Sequence, residues 1–251
     1  MSDAAVSVRH FKGPPLQPLK ALQAFGRLTR NKEDTIQVFE IMRALAGRST
    51  FKGYARLICT PGGGEIAYAR RELAPVLSDP NWLAQFGPGT VGEAYRRFMQ
   101  EEDLSAEGLA MQSRMTEPAI DEPHVLAWYG RRLRDVHDVW HVLSGYGRDA
   151  LGEACVVSFS YAQTGHKGFG FIGVAGAWEI SREAPKVRAF SAVREAFGNG
   201  RRASWLPSEN YEVLFTEPLE AARRRLNISP PTRYLAVPEE IRRGLKLRSA
   251  A

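Results

Sequence analysis

Residues 134–153 read RDVHDVWHVLSGYGRDALGE. Two histidines, His137 and His141, stand four apart with Asp138 beside the first. Gly145, Gly147 and Gly152 follow, and then Glu153. On a helix each residue advances by about 100°, so with His137 at zero Asp138 lies near about 100° and His141 near about 40°. All three share roughly a third of a turn. Imidazoles at i and i+4 can converge on one cation, with a neighbouring carboxylate supplying oxygen; the HExxH zinc helix has this geometry. Glu153 is twelve residues beyond His141, about 18 Å further along an unbroken helix. Metal–oxygen bonds are about 2 Å long, so Glu153 can join the histidines only if the chain reverses. Ser144-Gly145-Tyr146-Gly147 is a helix stop and turn. A second helix opening near Asp149 would carry Glu153 back, and Gly152 would allow a close approach. The stretch therefore reads as helix, turn and second helix around one divalent ion. HxxxH also arises by chance, and an Asp–His pair can be a plain buried hydrogen bond. It is the added Asp, turn and Glu that favour an ion. Val136, Val139, Val142 and Leu143 set the polar group among apolar neighbours, where it needs a partner.

Outward from this stretch the chain reads as helices joined by Gly/Pro turns. Asn31 is placed to cap a helix through Ala46, with Ile36, Phe39, Met42 and Leu45 on one stripe. GEIAYARREL suggests another helix. Thr90 and Glu93 have capping-box spacing at the head of GEAYRRFMQ. Pro123 suits the first turn of a single helix bearing Val125, Leu126, Tyr129, Leu133, Val136, Trp140 and Leu143. Lys186 to Ala196 reads as a helix followed by the turn FGNGRR. ENYEVLFTEPLEAARRRL reads as helical on both sides of Pro218, and PEEIRRGLKLR as a short basic amphipathic helix. TRYLAV and YARLICT are the only strand candidates. The expected fold class is all-α: a single mainly helical domain over 16–235 with the metal site between two consecutive helices, an N-terminal extension over 1–15 and a basic tail over 236–251.

At 251 residues, 44% hydrophobic and 25% charged, the chain can bury a sizeable core. A net charge of +6 favours anionic partners only weakly. No reader motif accompanies it, so nucleic acid is not an expected partner. Cys59 and Cys155 form no spaced pattern, which argues against a disulfide framework. The first residues have no apolar stretch of a secretory signal, and the expectation is a bacterial cytoplasmic chain or one whose leader has been removed. The least charged window, Ala154 to Trp178, is too glycine-rich and polar for a membrane span.

HDVWHVLSGYGRDALGE carries the pattern HDxxHxxxGxxxxxxGE without a gap, and this resembles the signature of the coenzyme Q biosynthesis protein 4 family. FGPGTVGEAYRRFM, RRLRDVHD, NGRR and NYEVLFTEPLEAARRRLNISPP also resemble segments of that family, so the likeness runs from about residue 16 to about 235. The resemblance implies a mainly helical protein of ubiquinone biosynthesis. It implies removal of the C1 carboxyl from a polyprenylated hydroxybenzoate, with hydroxylation at that carbon. It further implies a peripheral place on the membrane, here the bacterial inner membrane, among other ubiquinone-pathway enzymes. His137, Asp138, His141 and Glu153 match the family's proposed zinc ligands. Two positions depart. Ser158, in CVVSFSYAQ, stands where the family often has lysine, and Tyr161 where it has a second glutamate. TGHKGFG also replaces a segment that tends to contain proline.

The leading expectation is a metal-dependent decarboxylase, a lyase-like enzyme. Zinc is the first choice of ion, iron or magnesium are alternatives, and Asp138 and Glu153 are candidate catalytic groups. The alternative is a non-catalytic isoprenoid- or quinone-binding scaffold that organises pathway enzymes. A zinc peptidase is the weakest reading, because Asp138 is shorter than the glutamate base of HExxH. Arg131 and Arg134, shortly before the ligands, are candidates for an anionic headgroup, although such arginines more often form a solvated face. Phe169, Phe171 and Ile172, in GFGFIGVAGAW, are candidates for an isoprenoid groove, or else ordinary core. The basic tail is placed to touch an anionic membrane surface, and a homodimer is expected.

Overall fold

A computed structural model describes residues 13–29, 35–101 and 124–245, and the side chain of Thr35 is not among them. Sixteen α-helical segments and one 3-10 turn occupy these residues, with no strand among them. An isolated bridge joins Thr90 and Pro218. In chain order the helices are α1 (Pro18–Leu28), α2 (Thr35–Ala44), α3 (Ser49–Ile58), α4 (Gly63–Ala69), α5 (Leu73–Leu77), α6 (Pro80–Leu83), α7 (Val91–Glu101) and α8 (Val125–Asp135). They continue with α9 (His137–Ser144), α10 (Ala150–Thr164), α11 (Lys167–Glu183), α12 (Ala189–Arg202), α13 (Tyr211–Leu214), α14 (Leu219–Arg225), α15 (Thr232–Leu235) and α16 (Glu239–Gly244). The chain is all-α, as its sequence implies.

The centre is α10. It is apolar on nearly every face and buries Leu151, Ala154, Cys155, Val156, Val157 and Phe159 among others, as a helix surrounded by other helices must. α11 and α12 flank it at very short range because the facing residues are small. A Cβ built on Gly173 of α11 would lie 2.1 Å from Ser158 Oγ, and one on Gly200 of α12 would lie 2.6 Å from the Phe159 carbonyl oxygen. Gln163 ties the layers together. Its amide donates to the Gly200 carbonyl (2.7 Å) and its carbonyl accepts from Leu206 N (2.8 Å). The α1–α2 hairpin forms a smaller cluster, Ala21, Ala24, Ile41, Ala44 and Leu45, against Phe171 and Ile172 of α11.

Several sequence expectations are corrected. YARLICT lies mostly in α3, and TRYLAV contributes α15. Both are short β-branched or aromatic runs that helix packing overrides. FGNGRR is no turn but the end of α12; of its two glycines, Gly200 serves close helix approach. The helix expected to run unbroken through Leu143 is two helices, α8 and α9, meeting at Val136. GEIAYARREL stays helical only to Ala69, since Arg70 is left-handed (φ 44°). The Thr90 hydroxyl accepts from Glu93 N (3.2 Å), half of the expected capping box. Glu93 itself turns to Arg97. The helices flanking Pro218 stand as expected. The proposed caps at Asn31 and Pro123 lie outside the described residues, as do 1–12 and 246–251. Residues 236–245 pack back on the domain: the Leu245 carbonyl accepts from Ala150 N (3.1 Å) and Arg242 lies over the Tyr234 ring. Cys59 and Cys155 are free thiols.

Candidate metal centre

α9 is about two turns of apolar sequence interrupted on one side by His137, Asp138 and His141. It stops at Gly145, which takes the left-handed conformation (φ 76°) that only glycine adopts cheaply. Its last carbonyls do not end bare. Arg223 of α14 donates to the Val142 and Leu143 oxygens (2.8 and 2.9 Å), a cation where the helix dipole favours one. The chain reverses over 145–149. Asp149 then caps α10, its Oδ1 accepting from Leu151 N (3.1 Å) and Gly152 N (3.0 Å). A Cβ on Gly152 would sit 2.0 Å from the Gly147 oxygen, so the turn requires that glycine.

The reversal brings Glu153 to the histidines. Its carboxylate oxygens lie 3.8 Å from His137 Nε2 and 3.6 Å from His141 Nε2. Donor atoms of His137, Asp138 and His141 all come within 4.8 Å of one another. His141 is fully buried, Asp138 nearly so, and His137 and Glu153 are partly open. His141 Nδ1 faces the Tyr146 carbonyl at 2.9 Å. A carbonyl only accepts, so Nδ1 carries the proton and Nε2 keeps its lone pair. That buried Nε2 has no hydrogen-bond partner among the described residues. A buried lone pair facing carboxylates, themselves acceptors, calls for a cation or a proton between them. The residues therefore fit a divalent ion, with the Tyr146 carbonyl orienting the imidazole as outer partners of ligating histidines do.

Without an ion the cluster polarises itself. Burial pushes the His141 imidazole down, but the Glu153 carboxylate, with Asp138 and the Tyr146 carbonyl, more than offsets this and raises it overall. Burial pushes the Glu153 carboxyl up, yet the two imidazoles overcome that and hold it well below the usual carboxylate range.

The other sequence candidates have internal partners. Arg131 holds Glu72 (Nη2 to Oε1, 2.7 Å) through several hydrogen bonds. Arg134 holds Asp135 at 2.6 Å, and Asp135 also accepts from Ala74 N. Phe169 and Ile172 pack against the main core. Phe171 meets Phe25 of α1 edge-on, with centroids 5.6 Å apart. Three residues near the site escape sequence reasoning. Phe98 of α7 stacks on the His141 ring at 5.4 Å. Tyr95 of α7 is fully buried, its hydroxyl unpartnered among the described residues; burial first, then Asp138 and Asp135, push its phenol well up. Arg148, in the turn, places Nε 3.4 Å from Glu153 Oε1. The segment GEAYRRFMQ signalled Tyr95 and Phe98 as helical, but nothing local says which helix they face.

A sequence model of the family described as Coenzyme Q (ubiquinone) biosynthesis protein Coq4 matches residues 23–232. The chain belongs to the Coq4 family. The rat "Ubiquinone biosynthesis protein COQ4 homolog, mitochondrial" is 30% identical over 175 residues, 70% of this chain and 64% of the rat protein. The protein of that description from Nematostella vectensis is 29% identical over 177 residues, covering 69% of this chain and 82% of its own length. The chain thus spans a little under two thirds of the length of the mammalian relatives it matches. A crystal structure from Nostoc punctiforme, of a protein proposed to act in ubiquinone biosynthesis, superposes with a TM-score of 0.65 over 86% of this chain and 100% of that one, at 19% identity. That likeness concerns the fold. The family's description names ubiquinone biosynthesis as its pathway. No helix among the described residues is long and apolar enough to cross a membrane.

Proposed function

We propose that His137, Asp138, His141 and Glu153 hold a divalent metal ion and that the site removes the C1 carboxyl group of a polyprenylated hydroxybenzoate with hydroxylation at that carbon, in ubiquinone biosynthesis; zinc would suit removal of the carboxyl alone, and the hydroxylation would take dioxygen as oxidant and iron in its place. The observation that carries the reading is the buried, unpartnered Nε2 of His141 facing Glu153 across the α9–α10 turn. A bound divalent ion supplies Lewis acidity toward a carboxylate or phenolate oxygen; oxidation with dioxygen calls for a redox-active ion such as iron. The chain's own part is to fix the donors. The Tyr146 carbonyl sets the tautomer of His141, Phe98 covers one face of its ring, and burial keeps water scarce around the Asp138 carboxylate.

The isoprenoid tail calls for apolar surface. Leu19 and Leu22 of α1 and Val174 and Trp178 of α11 are exposed, and Leu22, Phe25 and Trp178 line an open groove between these helices. This surface suits peripheral contact with lipid. It also favours a second reading, a scaffold that presents quinone precursors to partner enzymes, with the ion structural. Substitution separates the two. Purified protein should contain about one divalent ion per chain, and His141→Ala or Glu153→Ala should weaken metal affinity by about 100-fold or more while circular dichroism stays helical. Cells carrying Glu153→Ala should accumulate the C1-carboxylated precursor. Normal quinone levels with both variants would exclude metal catalysis here and leave the scaffold.

A further inference from the structure

We infer that Arg148 is the substrate-anion anchor of this site, and that it recognises a monoanionic carboxylate beside the metal ion. The inference rests on the metal-site reading above and adds to it the group that selects the ligand's charge.

Arg131 and Arg134, shortly before the ligands in sequence, and Arg223, on the last carbonyls of α9, are all committed. Arg131 makes several hydrogen bonds to Glu72, and Arg134 a short ion pair with Asp135. Both side chains are about one tenth exposed (11% each). Arg148 differs. It sits in the turn between α9 and α10, its side chain is 29% exposed, and its ion pair among the described residues is with Glu153 Oε1. That contact, at 3.4 Å, is an ion pair without a hydrogen bond. Glu153 is also the carboxylate that reaches both imidazoles. An ion taken up by Glu153 competes directly for the partner of Arg148 and leaves the guanidinium donors unmet at the edge of the site.

Charge points to what meets them. Ligating imidazoles are neutral. Asp138 and Glu153 together cancel a dication, so the guanidinium leaves one positive charge over. A single negative charge shared between the ion and Arg148 balances the centre, and a dianionic phosphate overshoots it. A guanidinium also matches a carboxylate with two parallel donors. The ring of an aromatic acid suits the apolar setting of Phe98 and His141.

The test uses the full chain, Arg148→Gln and Arg148→Lys, with calorimetric titration of Zn2+ alone and then of benzoate or inorganic phosphate into zinc-loaded protein. Arg148→Gln should bind Zn2+ at least as tightly as the parent, because a repelling cation is gone. It should bind benzoate about tenfold or more weakly, with Arg148→Lys between. Equal benzoate affinity in the parent and Arg148→Gln overturns the anchor. So does loss of Zn2+ affinity in Arg148→Gln, which would make Arg148 a support for Glu153. Phosphate bound more tightly than benzoate, through the same arginine, overturns the choice of a carboxylate. Absence of Zn2+ binding by the parent removes the metal reading itself and appears in the first titration, before any anion is added.

Discussion

Ser158 and Tyr161 depart from the family's usual lysine and glutamate, and their neighbours on α11 account for what stands there instead. Ser158 donates to the Ala154 carbonyl (2.8 Å), and its Oγ occupies the space a side chain on Gly173 would take. Tyr161 lies over Gly170, where a Cβ would come within 2.9 Å of the ring, and against Phe197 at 5.5 Å. A small residue faces glycine at Ser158–Gly173 and a large one faces glycine at Tyr161–Gly170, so each pair is coupled by volume. Ser158→Lys should therefore overfill a closed helix interface and strand an ammonium in it, destabilising by about 3 kcal/mol. Urea denaturation measures this, and an unchanged midpoint would refute the coupling. That the chain brings Glu153 back to the two histidines is legible, because helix angles and one turn fix that spacing from sequence alone. Arg148 stood in the same quoted stretch and was missed, because turn residues have no periodicity to aim them. Arg131 stands out by charge, but charge does not reveal that Glu72 lies alongside in space, 59 residues away in sequence.

At the scale of elements, the α9–turn–α10 hairpin is the unit that makes the site, and Asp149 is its fastening. One carboxylate oxygen caps α10 while the other accepts from the Tyr234 hydroxyl (2.5 Å), which in turn accepts from Gly147 N (3.0 Å). Asp149→Ala removes the cap and unties the turn. The expected cost is about 1–2 kcal/mol of stability, with weaker metal binding because Glu153 sits in the first turn of the loosened helix. Asp149→Asn should recover most of the stability. Thermal melts and zinc titration read the two effects, and an Asp149→Ala protein with full zinc affinity would show that the hairpin holds without its cap. Element types were legible where apolar spacing was strong, as in α9 and in the helices around Pro218. They are hidden where glycine looks like punctuation but lies inside a helix, as in FGNGRR. In α12 glycine lets one backbone approach another, a property of the partner helix that no local pattern encodes.

For the whole molecule, the cluster links stability to pH and metal in opposite directions. Without an ion, Glu153 titrates below its ordinary 4.5, so its contribution is present above about pH 4.5 and fades as pH falls further. His141 titrates above its ordinary 6.5, so its contribution is complete below about pH 6.5 and is lost as pH rises through the raised value. The metal-free protein should gain most from this cluster between about pH 4.5 and 6.5. Metal binding needs the imidazoles deprotonated, so zinc should raise the melting temperature more at pH 8 than at pH 6. Melts with zinc and with chelator at both values check this, and a zinc effect that shrinks toward pH 8 would contradict it. Tyr234, which ties down the turn, and Leu245, whose carbonyl takes Ala150 N, belong to the last of the described chain. During synthesis both histidines emerge long before the residues that secure Glu153 opposite them. The donor cluster is thus completed only once nearly all of the described polypeptide has left the ribosome, so uptake of the proposed ion would be a late event in the protein's own assembly.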